Sequence, residues 1–298
     1  MRNLVTLPNF NGVAAGQTAT VQLPAGGNVT YHKLIIAYST SVAGNGTVAN
    51  GEAHLTQVRL KINGKIQRVF SAKQVDGINA FYGRSAQSRT VGGTAFYFME
   101  IFLSEPWRRT PGGEDLLAWG TSDVNTFQVE VDIAAAGTAP VLIPHADVEY
   151  IGRPLGLISK WRSYTQPVSA AGVTTNNTLP KNGNEAYQAI HAFPVATTDI
   201  IDVTVKTDQV VRFQGTDSDM RSLLASESPG GITSFAPQTN MTHLVFDRTG
   251  RISDALPMQY VDATGKPTGQ LVGDFRIDFN MNAGNSFPFI AQVLGPRD

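Results

Sequence analysis

The 298-residue chain contains no cysteine. That excludes disulfides, thiolate metal sites and cysteine nucleophiles, and it fits folding in a reducing cytoplasm. Charge is also scarce: charged residues make up 16%, and the formal net charge is −1. With no excess of one sign, no strong field draws in nucleic acid or an anionic membrane. No run approaches the ~18 consecutive apolar residues of a spanning helix. Pro8 and neighbouring asparagines break up residues 1–16, so no secretory leader is read there and a soluble chain is expected. Catalytic signatures are missing as well. The five histidines (His32, His54, His145, His191, His243) form neither HExxH nor HxH, and there is no GxSxG elbow or GxxxxGK[ST] phosphate loop. Each histidine is read as a satisfied or surface residue.

Turn residues are plentiful, with 29 Gly and 16 Pro. They separate short runs of alternating apolar and polar residues. Examples are TATVQL (18–23), YHKLIIAY (31–38), TQVRLKI (56–62), AFYFMEIFL (95–103), FQVEVDI (127–133), FRIDFNM (275–281) and FPFIAQVL (287–294). Many short strands with turn punctuation predict a sandwich or barrel. One stretch departs from this pattern. In KINGKIQRVFSAKQVDGINAFYG (61–83), Asn63-Gly64 suits a two-residue hairpin turn, whose central positions need positive φ. Val75, Ile78, Phe81 and Tyr82 then follow at helical spacing, with Ser71 as predicted cap and Gly83 as stop.

The same succession recurs. FQVEVDIAAAGTAPVLI (127–143) aligns without a gap on FRIDFNMNAGNSFPFIA (275–291), and QVRLKINGKI (57–66) on DVTVKTDQVV (202–211). A second helix is predicted over 216–227, capped by Asp217 or Ser218, with Met220, Leu223 and Leu224 on its apolar face. Two strands of any kind share period two, but several matches in order at a near-constant offset favour a tandem repeat. The fold expected is therefore all-β: two tandem eight-stranded jelly rolls, a double jelly roll, each with a short helix in a connection. The expected boundaries are residues 1–152 for the first roll, 153–172 for a partly packed linker and 173–298 for the second.

Few residues suggest chemistry. Glu130 and Asp132 lie two apart on one strand face, about 7 Å from each other, a spacing compatible with an acid–base pair for sugar hydrolysis. Alternating charge on an exposed strand is the plainer reading. Glu114 and Asp115 in a Gly-rich loop are read as a surface turn ahead of a calcium site, and the TDSD run (216–219) as helix capping. Trp107, Arg108 and Arg109, with Trp119 nearby, and Trp161 with Arg162 in SKWRSY suit a protein interface. The competing reading is a loop packed on its own domain.

VAAGQTATVQLP (13–24), LTQVRLKINGKIQRVFSAKQVDGINAFYG (55–83) and EIFLSEPWRRTPGGEDLLAWG (100–120) together resemble the corticovirus-type major capsid proteins of tailless, membrane-containing bacterial viruses and proviruses. The likeness is clearest over residues 1–150. It implies a non-enzymatic structural protein. Three chains would form a pseudo-hexagonal capsomer of an icosahedral virion, made and assembled in the host cytoplasm. Implied partners are the homotrimer, neighbouring capsomers, minor capsid and vertex proteins, and the outer face of an internal viral membrane, without specific nucleic-acid binding. Residues 1–12 are read as a flexible terminus suited to inward contacts. No cofactor is required; some family members bind calcium at capsomer contacts, but no residue here carries that site over. The rival readings are a carbohydrate-binding or adhesive jelly-roll protein and, further off, a glycosidase.

Overall fold

The computed structural model describes residues 1–41, 45–108, 111–227, 235–264 and 266–298. The chain divides into two compact units. The first comprises residues 1–106, 110–161 and 297–298, and the second comprises 107–109 and 162–296.

The first unit is built on strands β1 (Arg2–Thr6), β2 (Thr18–Leu23), β3 (Thr30–Ser39), β4 (Leu55–Ile62), β5 (Lys65–Phe70), β6 (Thr94–Phe102), β7 (Phe127–Ile133) and β8 (Val141–Glu149). They form two sheets, β1-β8-β3-β6 and β2-β7-β4-β5. Gln87–Val91 extends the first sheet beyond β6. This alternation of strands between two sheets is the jelly-roll order. Helices α1 (Val48–His54), between β3 and β4, and α2 (Ala72–Phe81), between β5 and β6, accompany the strands, and a five-residue helix, Pro111–Asp115, follows β6. Residues 1–12, expected to be flexible, contain β1, which pairs with β8 from Arg2↔Glu149 to Thr6↔His145.

The second unit repeats the plan with β9 (Ile158–Gln166), whose first four residues belong to the first unit, β10 (Gly172–Asn176), β11 (Ala186–Ala192), β12 (Ile200–Thr207), β13 (Val210–Thr216), helix α3 (Asp217–Ser226), β14 (Thr242–Val245), β15 (Phe275–Met281) and β16 (Phe287–Gly295). Its sheets run β14-β11-β16-β9 and β10-β15-β12-β13. The expected linker 153–172 thus differs from the structure, since 158–166 within it is a strand. Its alternation is hidden in the sequence because Ser159 and Lys160 occupy buried positions. Lys160 is neutralised by Asp298, with Nζ 2.7 Å from Oδ1.

Alternation drives both cores. On β7, Phe127, Val129, Val131 and Ile133 are buried, and on β15 so are Phe275, Ile277, Phe279 and Met281. Burying one such side chain contributes roughly 1.5–3 kcal/mol. The β4–β5 turn has φ of 49° at Asn63 and 79° at Gly64, as a two-residue hairpin requires.

The two connecting helices are ten residues each and lie 145 positions apart. Ser71 caps α2 through a full capping box with Gln74. Gly83, at φ 77°, ends it. In α3 the cap is Thr216, one residue before the expected Asp217 or Ser218. Its hydroxyl accepts from the Asp219 N–H at 3.1 Å, while Asp217 turns inward to Arg221 and Thr242. Leu223, expected on the apolar face, is 57% exposed, whereas its counterpart Ile78 in α2 is fully buried. The first unit has α1 packed on α2, β4 and β6. The second has only a short loop between β11 and β12, and no helix there to cover its own.

Candidate functional site

Of the sequence-selected interface residues, Arg108, Trp161 and Arg162 turn inward. Arg108 is 5% exposed and its guanidinium meets Asp247, equally buried, at 2.5 Å. Trp161 is buried edge-on to Phe70, with ring centroids 5.3 Å apart. Arg162 holds Glu185 through two hydrogen bonds of 2.8 and 2.7 Å. Trp107 is half-buried. Arg109 lies outside the described residues. For Arg108, Trp161 and Arg162 the geometry fits the reading of segments packed on their own unit.

The carboxylates chosen for their spacing are also engaged. Arg59 binds Asp132 in a bidentate pair at 3.0 and 2.6 Å and lies 3.6 Å from Glu130, which Lys61 meets at 2.5 Å. Two acids and two bases therefore form a neutral ladder across β4 and β7, where like charges unopposed would repel. Asp115 pairs with Arg2 and sits 3.3 Å from His32, while Glu149 lies 3.7 Å from the other nitrogen of His32. Burial, then the nearby Arg2, hold His32 below the ordinary imidazole range. Among the described residues, no group of three His, Asp or Glu side chains could hold a metal ion.

Sequence reasoning missed the buried polar clusters. Arg68 is 1% exposed and lies over Trp161 at 4.9 Å and Trp119 at 5.4 Å. It donates to the carbonyls of Ser159 (2.7 Å) and Phe102 (2.6 Å). Burial lowers it to about 9, so it remains a cation at neutral pH. A second cluster lies where β3 faces β6, with Tyr38 opposite Tyr97. Tyr97 donates to Asp76 of α2 at 2.6 Å, and Tyr38 meets His54 Nδ1 at 2.7 Å. Burial raises Asp76 to about 7. Gly51 of α1 is required there, because a Cβ would stand 2.0 Å from the Tyr97 ring. In the second unit β11 faces β14, and His191 lies opposite His243. No local signal could reveal these pairs, since each depends on the register of strands far apart in sequence.

What remains outward is the framework: two jelly rolls with exposed apolar side chains on their strands, among them Leu4, Val173, Val210 and Val211. Two family domains match the chain in succession: the viral coat protein P2 N-terminal domain over residues 4–149 and the viral coat protein P2 C-terminal domain over 158–296. The chain belongs to the viral coat protein P2 family. It is a coat protein, and its place is the virion capsid.

Solved structures agree on the fold. The major capsid protein P2 from bacteriophage PM2 matches with a TM-score of 0.80 at 18% identity, covering 100% of this chain and 98% of that one. The STIV major capsid protein matches with a TM-score of 0.69 at 11% identity, covering 99% and 97%. The PBCV-1 virus capsid protein matches with a TM-score of 0.61 at 11% identity, covering 100% and 95%. No curated protein matches the chain in sequence.

Proposed function

We propose that this coat protein is the major capsid protein of a tailless, membrane-containing icosahedral bacterial virus, and that it assembles as a homotrimer. The observation that carries the reading is the repeated strand order. Each chain holds two rolls with the same two-sheet pairing and the same helix between the fifth and sixth strands. Three chains would then supply six like outlines, and a threefold ring of closed symmetry could fill sixfold positions of a lattice. Further contacts would join neighbouring capsomers, minor and vertex proteins, and the outer face of the internal membrane.

The role is structural and non-catalytic. Glu130 and Asp132, the pair with acid–base spacing, are each neutralised by a base. A carbohydrate-binding reading finds less support. Tyr150 is the one aromatic among the exposed large hydrophobic side chains of the described residues, and a sugar platform would need more. Calcium enters the proposal only as a bridge between copies, completed by oxygen ligands from more than one chain.

Light scattering on purified protein, with and without calcium, tests this. The expected mass is three times 32.0 kDa. A monomer at every concentration, with or without calcium, would overturn the trimer.

A further inference from the structure

The second unit buries two histidines against each other. His191 on β11 and His243 on β14 are 0% and 2% exposed, with Nδ1 2.7 Å from Nδ1. The hydrogen bonds assign their protons. The main-chain N–H of Gln238 can only donate, and it is directed at His243 Nε2, 3.4 Å away. That nitrogen must therefore present a lone pair. His243 carries its proton on Nδ1 and donates it to His191 Nδ1, which leaves neutral His191 protonated on Nε2. Both lone pairs of the pair are then in use. A further proton on His243 Nε2 would face the Gln238 N–H, and one on His191 Nδ1 would face the His243 N–H. Either way a hydrogen bond becomes an opposition of two donors.

The surroundings add to this. Helix α3 brings Arg221, which donates to the carbonyls of Gln238, at 2.8 Å, and Met241, and its charge acts on His243. Asp217 on the same helix is already engaged by Arg221 Nε at 2.5 Å and by the Thr242 hydroxyl at 2.7 Å. Strand β16 contributes Gln292, a neutral side chain whose influence on His191 opposes that of burial. Among the described residues, Arg221 and the paired ring are thus the charged and titratable groups acting on His243, while burial and Gln292 act on His191. Strand β14 is four residues long and ends its sheet, paired there with β11.

We propose that His191 and His243 form an acid-triggered latch: neutral, they hold β14 and the adjoining helix α3 onto β11, and a proton taken up by the pair releases that edge. Burial, and for His243 also its ring partner and the Arg221 charge, hold both rings below the ordinary range, His191 at about 4. A ring exposed by opening takes its proton near 6.5. Opening is therefore favoured as the pH falls from about 6.5 toward 4, and the latch holds above that window. The inference concerns one chain and does not depend on the trimer.

Hydrogen exchange of the full chain at pH 7.5 and pH 5.0, corrected for intrinsic rates, tests it. Peptides covering α3 and β14 should lose protection at pH 5.0 by roughly 30-fold for each histidine that titrates, while those in β7 and β15 keep theirs. Unchanged protection in α3 and β14, or an equal loss throughout both units, would overturn the latch. The double variant His191→Gln/His243→Gln should lose the pH response, and a folded double variant that keeps it would count equally against the proposal. Should that variant fail to fold, the wild-type comparison decides alone.

Discussion

The two rolls place different chemistry at one corresponding position. In the first, Tyr38 faces Tyr97 between the third and sixth strands, and α2 brings Asp76 to the pair. In the second, His191 faces His243 between the same two strands of the roll, and α3 brings Arg221. Asp76 and Arg221 are the fifth residues of ten-residue helices that start 145 positions apart. The helix delivers an acid in one roll and a base in the other. The jelly roll requires apolar alternation on both sheets, whereas a buried polar set need only be mutually satisfied. The charge it contains can therefore change sign without changing the fold.

The difference predicts opposite responses to pH. Burial first, and then the nearby Glu52 and Glu100, raise Asp76 to about 7, against 3.8 when unfolded. Its contribution to stability is complete below pH 3.8 and is lost as the pH rises toward 7. The histidine pair runs the other way, contributing above pH 6.5 and losing its contribution as the pH falls toward 4.

The comparison can be tested by substitution, beginning with the largest expected effect. Arg68 has no partner in kind in the second roll, where Phe213 stands at the matching position and is only partly buried. Arg68→Ala removes two hydrogen bonds and a guanidinium set over two indoles, and it leaves a cavity. It should cost about 3–5 kcal/mol in urea unfolding. Ile78→Ala should cost about 2–5 kcal/mol, while Leu223→Ala at the equivalent exposed site should stay within about 0.5 kcal/mol. Equal costs would mean that the two helices are covered alike.

Asp76→Asn keeps the shape and removes the titration. Exchange protection around α2 and β6 in the variant should no longer fall between pH 4 and 7, with a gain of a few kcal/mol over wild type near pH 8. A persisting slope would place the titrating group elsewhere. The smallest effects belong to the caps. Ser71→Ala should cost about 1 kcal/mol and Thr216→Ala somewhat less, because only Ser71 belongs to a two-way capping box. Thermal melts of the two variants would rank them.

Much of the architecture was legible because it repeats. Residues 57–66 and 202–211 became the β4–β5 and β12–β13 hairpins, and 127–133 and 275–281 became β7 and β15. Strand β9 was harder to read, since a buried lysine occupies one of its inward positions. Helix α1 carries no apolar periodicity in VANGEAH. The helical pattern of α3 was visible in the sequence, but the exposure of Leu223 depends on a covering helix present in only one roll. The interface candidates were chosen for composition. Arg108 and Arg162 instead met buried acids, Asp247 and Glu185, distant in sequence. The histidine pair is separated by 52 positions and is brought together by strand register alone.

The most direct test of the central claim, that two copies of one roll in each of three chains fill six equivalent positions, is electron microscopy of the purified protein with class averaging. Particles of three chains with six similar lobes around a threefold axis are expected. Single two-lobed particles, or rings with any other number of lobes, would contradict it.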